Sequence, residues 1–283
     1  MNNDIVIKNT PYGQGRSLGF ILGPCVIESY TQLEEICGTL KERLPFPFIF
    51  KASFDKANRS SIDSFRGFSI EEGLGYLSRI KKEFDVAVTT DVHIPEQVDM
   101  TAEVCDILQI PALLARQTDL IIKAAETMKP VHVKKGQFMA PSDMEHVADK
   151  ILSTGNKDII FTDRGTSFGY HNLVNDFRSI PIMKKFCKAT CYDVTHSGQM
   201  PGLSKESGGE RAFMEPLAKA AVAAGCDLIF LETHPNPMLA KSDKNTQWPL
   251  SHAPELLNKL YQLREFLLKE ESTKGCVNYA AKI

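Results

Sequence analysis

The segment Lys51-Ala-Ser-Phe-Asp-Lys-Ala-Asn-Arg-Ser-Ser61 gathers Lys51, Lys56 and Arg59 with Asn58, Ser60 and Ser61, just past the apolar run Phe46–Phe50. Cations interleaved with hydroxyl and amide groups suit an anionic, polyhydroxylated ligand, of which a phosphorylated sugar is the simplest. The alternative for this stretch alone is a solvated basic loop. A second set has the chemistry of a metal site: Cys25, His196, Glu232 and Asp243 offer one sulfur, one nitrogen and two carboxylates. Such a mixed set holds a divalent transition ion and leaves room for a water or substrate oxygen. Taken singly, Cys25 also reads as a buried thiol, His196 as a structural histidine and Asp243 as a turn residue. Asp91 and His93, two apart, share one face of an extended segment and form either an acid/base pair or a helix-capping pair.

These residues need elements to carry them, and the chain supplies a repeating pattern. Short apolar runs, each ending in a polar residue, alternate with amphipathic helical stretches. The runs are Phe20–Leu22, Phe46–Lys51, Val86–Asp91, Ile107–Pro111, Val131–Lys135, Asp158–Asp163, Thr190–His196 and Asp227–Glu232. Helical patterns are expected at 31–43, 70–84, 95–104, 117–128, 142–154, 174–186, 208–224 and 253–270. Eight strands alternating with helices predict a parallel, closed (β/α)8 barrel. A short β-hairpin precedes it, around Asn9–Gly13. No glycine-rich GxGxxG opens the first helix, which argues against a dinucleotide fold. One barrel domain spans 1–270, and the aperiodic 271–283 reads as a loosely structured tail.

Barrel enzymes work at the C-terminal ends of their strands. Round this rim stand Cys25 and Glu28, Lys51, Asp91 and His93, Gln109, Lys134 and Lys135, Asp163 and Arg164, Asp193 and His196, and Glu232 and His234. Stability alone does not ask for polar groups at every strand end. Lys51 and Lys134 each end a buried strand, so they are anion-binding groups or, in a class I aldolase, Schiff-base nucleophiles. Arg116 and Arg164 add charge, while Arg211, at an expected helix start, reads as solvated.

The net charge of −2 argues against a nucleic-acid partner, and no apolar run is long enough for a membrane span. Seven cysteines without CxxC spacing point to free thiols in a reducing compartment, hence the cytoplasm.

Together the motifs GPCVIES (23–29), KASFDKANRSS (51–61), TTDVH (89–93), LQIPALLARQTDL (108–120), VKKGQFMAP (133–141), TDRGTSFGY (162–170), DVTHS (193–197) and FLETHPNP (230–237) resemble the 3-deoxy-D-manno-octulosonate 8-phosphate synthase family. The resemblance runs from about residue 18 to 265. It implies a (β/α)8 homotetramer that condenses phosphoenolpyruvate with D-arabinose 5-phosphate, a step of lipopolysaccharide biosynthesis. It implies that Lys51, Lys134, Arg164 and Arg116, with Gln109 at the rim, hold phosphoenolpyruvate. Asn58, Arg59, Ser60 and Asp91 would hold the sugar phosphate, with Lys56 between the two.

The related synthases that use erythrose 4-phosphate carry Lys-Pro-Arg-Thr where this chain has Lys56-Ala-Asn-Arg59. A proline offers the sugar no side-chain amide, whereas Asn58 donates and accepts. They remain the alternative reading. Cysteine in Gly23-Pro-Cys25 resembles the metal-dependent branch of the family. That implies a zinc, iron, manganese, cobalt or cadmium ion on Cys25, His196, Glu232 and Asp243, with Lys56, His196 and Cys25 in catalysis. Ser242-Asp-Lys-Asn245 departs from the family by lacking an Asp-Gly pair.

Overall fold

The computed structural model describes residues 4–57, 62–170, 172–200 and 208–273. Eight strands form the frame: β1 Gly19–Gly23, β2 Ile49–Lys51, β3 Ala87–Asp91, β4 Ile107–Ile110, β5 Val131–Lys134, β6 Ile159–Asp163, β7 Ala189–Asp193 and β8 Leu228–His234. Each pairs in parallel with its neighbour in sequence. The sheet closes where β8 pairs with β1, from Leu228↔Gly19 to Glu232↔Gly23. Helices return the chain on the outside: α1 Tyr30–Arg43, α2 Ile70–Glu83, α3 Val98–Val104, α4 Thr118–Glu126, α5 Met144–Leu152, α6 Ser179–Met183, α7 Met214–Ala223 and α8 Ala253–Thr273. Ser29 and Ser69 fix two of the starts, each side chain accepting from a backbone N–H in the first turn. This is the expected (β/α)8 barrel.

Strand alternation sorts side chains into two sets. One buries the helices' apolar stripes, as in Phe50, Leu74 and Leu77. The other fills the barrel with Ile21, Ile49, Ala87, Ile107, Ile160, Cys191, Leu228 and Phe230. Ile5, Ile7 and Tyr12 belong to that inner cluster. They come from the expected hairpin, Ile5–Ile7 paired antiparallel with Thr10–Tyr12. It closes the N-terminal end of the barrel. Its Tyr12 ring lies so near Gly19 that a Cβ there would fall 2.5 Å from the ring.

Five elements differ in their bounds from expectation. Pro45 and Phe46 form a bend and Phe46–Phe48 lies outside the sheet, so β2 is only three residues long. The seventh strand ends at Asp193, not His196, because the Asp193 carboxylate accepts from the His196 N–H and caps a helical turn, Val194–Ser197. The stretches 174–186 and 208–224 are helical only at α6 and α7. Helix α8 continues to Thr273, past the expected end at 270, and the rest of the expected tail, 274–283, lies outside the described residues. No helix among the described residues is long and apolar enough to cross a membrane.

Candidate active site

Alternation continues upward from the apolar layer, so inward positions two residues further along become polar: Lys51 above Ile49, Asp91 above Thr89, Gln109 above Ile107, Lys134 above His132, Arg164 above Thr162, Asp193 above Cys191, and Glu232 above Phe230. Gly23 and Cys25 continue β1 in the same way. Glycine is required at 23: φ is +152° and a Cβ would fall 2.0 Å from the Lys51 carbonyl oxygen. That close approach lets Lys51 Nζ donate to the Cys25 carbonyl at 3.0 Å and to Glu232 Oε1 at 3.0 Å.

Two cations of this well are paired directly with its acids, and two reach acids through a neutral side chain. Lys51 is bound to Glu232 with both side chains buried. Lys134 Nζ lies 2.6 Å from Asp193 Oδ2 and 3.4 Å from the centre of the Phe230 ring. Arg164 Nη2 donates to Gln199 Oε1 at 2.6 Å, and Gln199 Nε2 donates to Asp243 Oδ1 at 2.7 Å. Lys56 donates at 3.0 Å to Ser53 Oγ, which bonds Asp91 in turn.

Burial opposes each charge, and the partners prevail at the acids and at Lys56 but not at Lys134. Asp193 and Glu232 are held below the usual carboxylate range, Asp193 by His196, Lys134 and Arg164, and Glu232 by Lys51, His196 and Lys56. Asp91 is pulled well down by its bond to His93 and by Lys56. Lys56 is raised, since the surrounding Cys25, Glu232, Asp91 and Asp243 outweigh its burial. Lys134 is lowered by burial despite Asp193.

The sulfur and carboxylates converge as the residue types suggested. Ligand atoms of Cys25, Glu232 and Asp243 all lie within 4.8 Å of one another. His196 Nε2 stands 3.7 Å from Glu232 Oε2 and 3.9 Å from Asp243 Oδ2. Its Nδ1 is 2.7 Å from Asp193 Oδ2, which fixes the tautomer and leaves the Nε2 lone pair facing the acids. Glu232 Oε2 is buried with no hydrogen-bond partner. A buried carboxylate oxygen without a partner, among a thiol, an imidazole and a second carboxylate, suits a divalent cation. Without one, burial and then the charges of Asp243 and Glu232 push the Cys25 thiol well up, and its Sγ lies 3.0 Å from Asp243 Oδ2. Asp243 adopts the left-handed conformation itself, φ +48°, so the turn forms without the Asp-Gly pair.

Other expected residues are distributed unevenly. Asp91 and His93 form the expected same-face pair, His93 Nε2 lying 3.0 Å from Asp91 Oδ2. Gln109 is buried at the rim with Oε1 lacking a partner. Arg116 is exposed on the loop before α4, where its carbonyl accepts from Lys150, and no hydrogen bond or ion pair among the described residues joins it to the buried cluster. Asn58, Arg59 and Ser60 lie outside the described residues.

Arg211, read as solvated, instead donates to the carbonyls of Gln247 and Lys244 and braces the turn that carries Asp243. Gln247 also enters the site: its Oε1 accepts from the Cys25 N–H at 3.3 Å. Residue type gives no signal for Gln199 or Gln247, because neutral amides are common and their partners are remote in sequence. Lys135, expected on the rim, is wholly buried outside the well, near Thr166 and Asp163.

A family model described as the DAHP synthetase I family matches residues 4–269. Among curated proteins, 2-dehydro-3-deoxyphosphooctonate aldolase of Protochlamydia amoebophila (strain UWE25) is 50% identical over 270 residues, covering 94% of this chain and 98% of that protein. The protein of the same name from Geobacter metallireducens is 50% identical over 264 residues, 92% of this chain and 97% of that protein. That of Francisella tularensis subsp. holarctica is 47% identical over 272 residues, 95% and 99% respectively.

Proposed function

We propose a function from one premise: the chain belongs to the DAHP synthetase I family. Its relatives at about half identity carry the name 2-dehydro-3-deoxyphosphooctonate aldolase. The chain is such a synthase. It joins phosphoenolpyruvate, D-arabinose 5-phosphate and water into 3-deoxy-D-manno-octulosonate 8-phosphate and releases phosphate. The observation that carries this reading is the buried well of Lys51, Lys134, Arg164 and Lys56 beside the Cys25–Glu232–Asp243 cluster.

The reaction forms a bond from C3 of phosphoenolpyruvate to the C1 aldehyde of the open-chain sugar, adds water at C2, and breaks C–O to free phosphate. Lys51, Lys134 and Arg164 hold the carboxylate and phosphate of phosphoenolpyruvate, with Gln109 at the rim. Lys51 and Lys134 already have internal acids and Arg164 an internal amide, so binding exchanges partners in a dry site where preorganised charge counts most. Arg116, exposed in the single chain, also serves phosphoenolpyruvate. Asp91 meets a sugar hydroxyl, and Asn58, Arg59 and Ser60 hold the rest of the sugar phosphate. Lys56, held protonated by the acids around it, delivers its Nζ proton to the alkoxide that forms at the former aldehyde oxygen. His196, oriented by Asp193, positions the water at C2.

A divalent ion would be held by Cys25, His196, Glu232 and Asp243, and would supply Lewis acidity that polarises a carbonyl or lowers the pKa of water. Zinc, iron, manganese, cobalt and cadmium all suit this donor set. The six cysteines among the described residues are free, in keeping with the cytoplasm. A homotetramer is the assembly we expect, and light scattering tests it.

The deciding assay is phosphate release from phosphoenolpyruvate with arabinose 5-phosphate against erythrose 4-phosphate, with and without chelator. The reading requires preference for the five-carbon sugar and loss of turnover on chelation. Preference for erythrose 4-phosphate would support the alternative, the seven-carbon synthase. Full turnover in chelated protein would remove the metal.

A further inference from the structure

Two of the four candidate metal ligands, His196 and Asp243, are each oriented by a hydrogen-bonded partner. Lys51 on Glu232 is instead a positive charge that competes with a metal ion, whereas Asp193, itself held by Lys134, orients His196. Asp243 is oriented by a neutral amide. Gln199 Nε2 donates to Asp243 Oδ1 at 2.7 Å, while its Oε1 accepts from Arg164 Nη2 at 2.6 Å. The amide has only one workable orientation. A guanidinium is a donor only and an ionised carboxylate an acceptor only, so a flip would set like against like at both ends. With Oδ1 so held, Oδ2 faces Cys25 Sγ at 3.0 Å and His196 Nε2 at 3.9 Å.

The backbone fixes Gln199 in turn. Residues Gln199 and Met200 pair antiparallel with Gly209 and Gly208. Gly209 lies tight against the turn that bears Asp243: a Cβ there would stand 2.2 Å from Thr246 Cγ2 and 2.9 Å from the Gly198 carbonyl oxygen.

We propose that Gln199 is a positioning residue that holds Asp243 in its ligating orientation and couples the metal site to Arg164, a cation assigned to phosphoenolpyruvate. The inference rests on the metal reading above. Outer partners of metal ligands are worth about 10- to 100-fold in affinity. The coupling is reciprocal, so an anion at Arg164 alters metal affinity as the metal alters anion affinity.

Cobalt(II) titrated against a competing chelator provides the test, together with the visible spectrum of the cobalt-loaded protein. Gln199→Met keeps the size and loses both hydrogen bonds. Gln199→Glu keeps an acceptor for Arg164 but sets a carboxylate against Asp243. Both should bind cobalt roughly 10- to 100-fold more weakly than the unaltered chain and shift its spectrum. Phosphoenolpyruvate should change cobalt affinity more in the unaltered chain than in either variant. Gly209→Ala, which displaces the paired segment, should weaken cobalt binding by a second route. Circular dichroism on each variant separates unfolding from loss of the ligand. Cobalt affinities within about threefold of the unaltered chain, with an unchanged spectrum, would overturn the proposal. If the unaltered chain itself takes up no cobalt, the metal reading fails instead.

Discussion

Replacing Lys51 with methionine tests how the well balances its charges. The ammonium is buried, bonds Glu232 Oε1 and the Cys25 carbonyl at 3.0 Å each, and lies 5.5 Å from the Phe230 ring centre. Methionine keeps most of the volume but leaves a fully buried Glu232 carboxylate without its cation. Breaking one side of a buried pair costs about 3–5 kcal/mol. For a domain of this size that corresponds to roughly 6–20 °C in melting temperature. A divalent ion on Glu232 would replace the missing positive charge, so the penalty should largely vanish in the metal-loaded protein. The metal should therefore raise the melting temperature of Lys51→Met more than that of the unaltered chain, and chelator competition should show tighter metal binding in the variant. Turnover should nevertheless fall steeply, since a cation for phosphoenolpyruvate is gone. Melting is followed by circular dichroism at one fixed protein concentration, with chelator and with excess metal. A loss below about 1 kcal/mol, or equal metal-induced shifts in both proteins, would refute the charge balance inferred here.

Three further outcomes follow from particular contacts. Gly23→Ala should cost more than about 3 kcal/mol and reduce turnover, because a Cβ 2.0 Å from the Lys51 carbonyl forces β1 and β2 apart; a melt within 2 °C or so of the unaltered chain would contradict this. Cys25→Asn should abolish cobalt binding and the thiolate-to-metal absorption band, measured by titration and visible spectroscopy; retention of both would remove Cys25 from the ligand set. His132, pulled down to about 3 by burial and by Lys134, is neutral in the fold, whereas the unfolded chain takes up its proton near pH 6.5. Stability should therefore decline as pH falls from about 6.5 towards 3, by about 1.4 kcal/mol per pH unit from this group. His132→Gln should flatten that part of the pH–stability curve, and an unchanged slope in denaturant titrations would count against it.

Much of the architecture was legible because the inner wall repeats one rule: inward positions recur every second residue and turn polar and charged at the strand end. Ile49 before Lys51 and Phe230 before Glu232 follow it, so the strand ends and their inward groups could be read together. The strand reading failed just beyond Asp193. There the residue that ends the strand also caps the next turn, and His196 reaches the site from a helix instead of a strand. Propensity does not reveal that, because Val194 and Thr195 are good strand residues. Gln199, Arg211 and Gln247 escaped for another reason. Their value lies in partners such as Asp243, Lys244 and Cys25, and a single chain read in order gives no proximity between them. Arg116 joins the ring on its charge and on the resemblance, neither of which reports exposure, and the fold leaves it exposed.

The hairpin under the barrel has a consequence for traffic. With Ile5, Ile7 and Tyr12 packed into the inner cluster, the described residues plug the N-terminal end of the barrel, and the site is approached from the strand-end rim. Water, both substrates, the product, phosphate and any ion then share that face. What lies deepest has to enter first and leave last. Glu232, among the least accessible groups of the site, is at the bottom of that queue. A bound substrate is then a stopper: phosphoenolpyruvate added before chelator should slow the stripping of the ion.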